Sequence, residues 1–195
     1  MRLAACILLL LSTNVCFGEE PAVRLPKPEF RLEPSDPDWF GPAVQLHGHL
    51  GPWLVAGVRM GAAGLREAGA KGYFDVEVTA EGPLALPPHA CFLDGVQVAT
   101  GATLGKRNLK WTEAPRLTLR VKNVRTGKTA VIRSTVGMME WIASAKVSQL
   151  SPANPNRAER AAGKEHAKTD PHAVDAIARR IAKAKESEII TIARE

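Results

Sequence analysis

Two histidines flank a glycine at His47-Gly48-His49, and a third, His89, stands two residues before Cys91. Imidazole nitrogen and thiolate sulfur are the donors that zinc and similar transition ions accept. Residues two apart on a regular helix point about 200° apart and cannot share one ion. In a loop or an extended entry they can, and Gly48 makes such a turn easy. The spacing is not that of a zinc finger, and a His-x-His pair also serves as a hydrogen-bonding or surface pair. Asp94 and Gln97 follow Cys91 at one and two helical turns, so all three can share a face. Asp94 is open to four readings: a further ligand, an orienting partner of a histidine, a base, or a first-turn carboxylate favoured by the helix dipole.

The three cysteines are Cys6, Cys16 and Cys91. The chain opens with a basic residue, Arg2, then runs apolar from Ile7 to Leu11 and breaks at Glu19-Glu20-Pro21. This is the pattern of a secretory leader cleaved after Gly18, and its apolar run is far shorter than the ~20 residues of a spanning helix. Export leaves Cys91 alone, so it is buried, metal-bound, reactive or paired with another chain, and dithiol chemistry within one chain is excluded. No serine-hydrolase elbow or dinucleotide fingerprint is present.

The stretch from Gly101 to Asn108 invites a phosphate-loop reading, but three residues separate its glycines and Arg107 follows Lys106, where that loop needs four residues and a Ser or Thr. Lys106 and Arg107 remain anion-binding candidates on a glycine-rich turn, against the simpler reading of a tight connection with exposed basic residues. The net charge of +6 owes much to the segment 157–185. Without aromatic interleaving or a nucleic-acid motif, that segment reads as a solvated helix face and nucleic acid is not an expected partner.

The elements that position these residues follow from pattern. Five prolines between residues 19 and 37 predict an extended arm, and Asp36 to Phe40 a turn into the fold. Pro52 to Ala68 is predicted as a helix, begun by Pro52 and stopped by Gly69. Gly57, Gly61, Gly64 and Ala68 share one stripe of it, which implies very close packing, while Arg59 and Arg66 face away. Phe74, Val76, Val78 and Ala80 alternate with polar residues as in a half-buried strand. Glu81 to His89 is a loop and Cys91 to Ala102 a helix. Leu117 to Val121 and Ala130 to Arg133, joined through Thr126-Gly127, form an antiparallel hairpin. Thr135 to Ser148 is helical, Ser151 to Asn156 a loop, Asp170-Pro171 opens a helix to about Lys185, and Glu188 to Ile192 adds a final strand. Irregular alternation of helices and strands predicts a single α+β domain, a mixed or antiparallel sheet packed with helices.

Leu46-His47-Gly48-His49-Leu50-Gly51-Pro52, continued to Gly61, resembles the opening motif of the FmdE-like family, named for a component of formylmethanofuran dehydrogenase. Cys91-Phe92-Leu93-Asp94-Gly95-Val96-Gln97, with Thr100 to Leu109, resembles its second motif. The resemblance covers roughly residues 40–135 and leaves out the leader, the arm and the tail after about Ser151. It implies an α+β domain with a metal site on His47, His49 and Cys91, and it hints at one-carbon metabolism. Many members carry a cysteine where this chain has Gly51, so the site would lean on His47, His49 and Cys91 with Asp94 or His89. Fewer thiolates favour zinc over iron–sulfur or copper(I).

The expected organisation is a leader at 1–18, an arm at 19–37, a metal-binding domain at 38–150 and a helical extension at 151–195. The leading expectation is an exported, periplasmic or secreted, zinc-binding protein linked to one-carbon or redox chemistry, with catalysis left open. The alternative is a non-catalytic module that holds a small anion at Lys106 and Arg107. Homo-oligomerisation is left open, and no stable membrane span is expected after leader cleavage.

Overall fold

The computed structural model describes residues 24–144 and 171–194. The leader, the first arm residues and the loop at Ser151 to Asn156 lie outside the described residues. Among those described, no helix is long and apolar enough to cross a membrane. Residues 24–33 run without regular structure, as their prolines dictate.

The helices are α1 (Phe40–His47), α2 (Pro52–Ala68), α3 (Cys91–Thr100), α4 (Val136–Ser144), α5 (Pro171–Lys183) and α6 (Glu186–Ile189). The strands are β1 (Val76–Gly82), β2 (Leu109–Glu113), β3 (Thr118–Asn123), β4 (Thr129–Ser134) and β5 (Ile190–Arg194). They form one sheet in the order β2-β1-β3-β4-β5. β1 and β2 are parallel and the other pairs antiparallel, so the sheet is mixed and the fold is α+β, as expected. A parallel pair needs a crossover, and α3 supplies it between β1 and β2.

One face of the sheet carries the core. In β1, Val76, Val78 and Ala80 are buried, while Glu77, Thr79 and Glu81 look the other way. On that open face Glu77 pairs with Lys122 and Glu81 with Arg120 across β1 and β3. Phe40, Leu54, Met60, Phe92, Leu119, Ile132 and Ile181 are fully buried on the helical side. Each such side chain contributes about 1.5–3 kcal/mol relative to exposure.

α2 is the central helix and is buried nearly all round, as helices enclosed by other elements are. It starts and stops where Pro52 and Gly69 predict, and its glycine stripe is the seat of two contacts. A methyl on Gly57 would overlap the Phe92 carbonyl oxygen, and one on Gly95 of α3 would overlap that of Leu54. Backbone meets backbone there, which only glycines on both helices permit. Gly64 in turn lies under Val121 of β3. From the opposite side Arg59 donates to the carbonyls of Ile181 (3.0 Å), Ala182 and Ala184 (2.9 Å), closing the end of α5. Arg66 makes a two-pronged pair with Glu186 at 3.0 and 2.6 Å.

Several expectations are corrected. Phe40 to His47 is a helix rather than only a turn into the fold. Phe74 falls in a 3-10 turn (Tyr73–Asp75) and is 79 % exposed, so β1 starts two residues later. The strand Leu109–Glu113 is an addition to the expected elements; only Leu109 in it is buried, so it shows no alternation. The helix predicted from Thr135 is seen from Val136 to Ser144, and its expected last residues lie outside the described ones. The basic face predicted for 157–185 is not simply solvated where it is described. Arg179 is clasped at 2.9 and 3.0 Å by Asp36, whose side chain is shielded from solvent, and Arg180 stacks 3.8 Å from the Trp141 ring centre. Ile181, Ile189 and Ile190 belong to the same core as α2, so the C-terminal segment is integral to it.

Candidate functional site

α1 ends at His47, where Gly48 takes φ +100° and donates its N–H to Val44. That left-handed turn lets the chain double back into α2. Gly51 precedes α2 in an extended conformation at φ −151°, which any residue adopts. α3 begins at Cys91, on the far side of the cleft from α1. The close approach of Gly57 and Gly95 therefore determines how near Cys91 and Asp94 come to His47.

They come close. Asp94 Oδ2 lies 2.7 Å from His47 Nδ1. The other Asp94 oxygen accepts from Gln97 Nε2 at 3.3 Å. A carboxylate on Nδ1 holds the ring in place and directs Nε2 to its task. The His47 side chain is only 8 % exposed, and Nε2 is buried with no hydrogen-bond partner. Cys91, a free and half-buried cysteine, acts on this ring electrostatically without meeting hydrogen-bond geometry at Nε2. A buried nitrogen without a partner is costly, and a native site of this kind calls for an explanation.

Burial opposes a charge on His47, but the Asp94 hydrogen bond and the neighbouring Cys91 sulfur outweigh it and push its pKa up from 6.5 to about 9. His49 stacks beside it, ring centres 4.5 Å apart and tilted 41°. Partial burial and the charge on His47 hold His49 below its ordinary value, with Asp175 opposing. The residue as a whole is nevertheless exposed.

His47, His49, Cys91, Asp94 and Gln97 all line one cavity of about 570 Å³, walled on its other sides mainly by apolar residues such as Pro87, Leu93 and Leu104. The structure thus brings five of the predicted residues together. His89 stands apart, its ring edge-on to Trp53 at 4.6 Å. Lys106 and Arg107 line a different hollow, which has no lining residue in common with this one. Asp94 hydrogen-bonds a histidine, in line with the orienting role among its four readings, and Leu104 is a neighbour that spacing alone does not reveal.

The donor chemistry fits a transition ion. His47, whose Nε2 is unpartnered, and Cys91 line one cavity, and Asp94 supplies the carboxylate that ligating histidines commonly carry. Among the described residues, no three His, Cys, Asp or Glu side chains stand together as a finished ligand set. His49, its ring centre 4.5 Å from that of His47, adds a further nitrogen to the same cavity lining.

Comparison with known proteins places these features in a family. The chain is 36 % identical over 67 residues to a protein of Archaeoglobus fulgidus named "Probable S-adenosyl-L-methionine-binding protein". That match takes in 34 % of this chain but only 18 % of the relative, so the chain spans under a fifth of that protein's length. The family described as "FmdE, Molybdenum formylmethanofuran dehydrogenase operon" matches residues 46–191, well past the two motifs and into β5. The chain belongs to the FmdE family, whose description ties it to formylmethanofuran dehydrogenase and so to one-carbon chemistry.

Proposed function

We propose that this chain binds a transition metal ion of the zinc type, held by His47 Nε2 and Cys91 Sγ with His49 as a third donor. The observation that carries the reading is the buried, unpartnered Nε2 of a histidine whose other nitrogen is held by Asp94 at 2.7 Å. When bound, such an ion supplies Lewis acidity. The chain's own residues supply the rest. Asp94 orients His47, Gln97 steadies Asp94, and Leu93 and Leu104 give the cavity an apolar wall. Gly51 withholds a donor, leaving room for an exogenous ligand. The leader at 1–18 makes the protein an exported one, acting on a one-carbon or redox-active small molecule away from any cytoplasmic partner.

Elemental analysis of the mature protein tests this. Near-stoichiometric metal in the parent, lost in both Cys91→Ala and His47→Ala, is the expected result. A parent that stays empty after reconstitution with zinc, though folded, removes the reading.

A second reading rests on the same pair, with which no third His, Cys, Asp or Glu groups among the described residues. Cys91, His47 and Asp94 then form a nucleophile, a base and its orienting carboxylate. Alkylation by iodoacetamide separates the two. Zinc protects Cys91 under the first reading and leaves its rate unchanged under the second.

A further inference from the structure

We propose that the hollow on the open face of the sheet is a second binding site, for a small phosphorylated ligand that carries a flat ring, such as a mononucleotide. The hollow measures about 330 Å³ and lies between β1, the start of β2 and the turn that contains Lys106 and Arg107. Thr79 of β1 pairs in register with Lys110 of β2, so Lys110 shares the open face with Glu77 and Thr79. Its neighbour Leu109 points the other way, into the histidine–cysteine cavity. One strand thus separates two sites of different chemistry.

Three cations, Lys106, Arg107 and Lys110, line this hollow against a single carboxylate, Glu77. Glu77 is already matched by Lys122 at 3.5 Å. Among the described residues neither Arg107 nor Lys110 has an ion-pair partner. Two or more cations converging on one small hollow match the charge and the acceptor oxygens of a phosphate. On the other side Phe74, 79 % exposed, and Val124, 44 % exposed, offer an apolar platform. Lys106 Nζ lies 5.8 Å from the centre of the Phe74 ring, so the charge and the platform adjoin. A ring on Phe74 with its phosphate on Lys106, Arg107 and Lys110 uses both halves.

The backbone here is held in a conformation its residues do not favour. Tyr73 at φ +55° and Arg107 at φ +59° are the non-glycine residues with positive φ among those described. Arg107 lines this hollow, and Tyr73 immediately precedes Phe74. Asn108 clamps the two segments together: its amide donates to the carbonyls of Tyr73 (2.6 Å) and Val76 (3.0 Å), and its oxygen accepts from Thr103 N–H (3.0 Å). Strained residues that the surroundings over-determine cluster at ligand clamps. The strain at Arg107 places a guanidinium where glycine would have been the easier choice.

Calorimetric titration with adenosine 5′-monophosphate, phenyl phosphate and inorganic phosphate at two salt concentrations tests the proposal. The two ring-bearing probes are expected to bind about tenfold more tightly than inorganic phosphate. Arg107→Gly removes the guanidinium and relieves the strained φ. It is expected to weaken every probe about tenfold or more while leaving the melting temperature equal or higher. Phe74→Ala should bring the ring-bearing probes down to the level of inorganic phosphate, and Lys27→Ala, on the N-terminal arm and not among the residues that line the hollow, should change nothing. The proposal is overturned if adenosine monophosphate gives no saturable binding, or if Arg107→Gly binds as the parent does. It is also overturned if Phe74→Ala leaves the ring preference intact. Affinity that appears only for longer oligonucleotides would overturn it too, in favour of a nucleic-acid surface.

Discussion

Replacing Asp94 by Asn isolates what the carboxylate does to His47. The amide keeps a neutral acceptor near Nδ1 and removes the charge. In the metal-free protein His47 titrates near 9 against 6.5 in the unfolded chain. That gap corresponds to a coupling on the order of 3 kcal/mol, shared among Asp94, Cys91 and opposing burial. Asp94 is 38 % exposed, so solvent screens its share, and we expect the substitution to cost about 1–2 kcal/mol. The sign follows from linkage. A raised histidine pKa gives stability that is fully present below about 6.5 and lost as pH rises through about 9. Parent and variant should therefore differ most at or below pH 6.5 and converge above 9. Urea unfolding of the chelator-treated, reduced protein across that window reads the difference, and NMR of the His47 ring reads its titration directly. A parent His47 that titrates near 6.5, or unfolding curves whose separation does not change with pH, would refute the reasoning.

Two further substitutions probe how the site is built. Gly95→Ala puts a methyl against the Leu54 carbonyl and 2.9 Å from the Gly57 Cα, so α3 must move off α2. We expect a loss of about 1–3 kcal/mol or more, seen in thermal melts, together with a lower His47 titration point as Asp94 withdraws. Gly51→Cys should be tolerated, because φ is −151° there and the new Cβ would meet only the His49 ring, with Nε2 at 3.5 Å. With a second thiol beside His49, zinc affinity measured by chelator competition should rise at least about tenfold, while the melting temperature of the metal-free form stays within a few degrees.

What the sequence made legible divides along physical lines. Strong local chemistry reads well. Pro52 and Gly69 bound α2 because one lacks an N–H that the first turn does not need and the other accepts a left-handed φ. The β3–β4 hairpin reads well because Leu119 and Val121 alternate with more exposed residues, Ala130 to Ile132 form a continuous buried apolar run, and Gly127 turns at φ +76°. α1 is hidden because Gly41 and Pro42 sit in its first turn, no side chain caps it, and its eight residues are stabilised by the burial of Phe40, Ala43 and Val44. β2 is hidden because an edge strand needs only one buried residue, and its pairing is dictated by a crossover from β1. Phe74 misleads because its apolar period continues into a turn that the strained Tyr73 takes out of the sheet.

The candidate site follows the same division. Donor types are visible at His47, His49 and Cys91, but the bond from His47 to Asp94 joins residues 47 apart and no spacing rule predicts it. The glycine stripe on α2 announces a close contact without naming what it meets. The partner is Gly95, in the same turn as Asp94 and one turn beyond Cys91. A bulkier residue at either glycine would set the helices apart by the thickness of a side chain, more than a 2.7 Å hydrogen bond can span. The stripe on α2 and the chemical residues on α3 are therefore parts of one device. The glycines set the distance at which Asp94 can hold His47 within the electrostatic reach of Cys91.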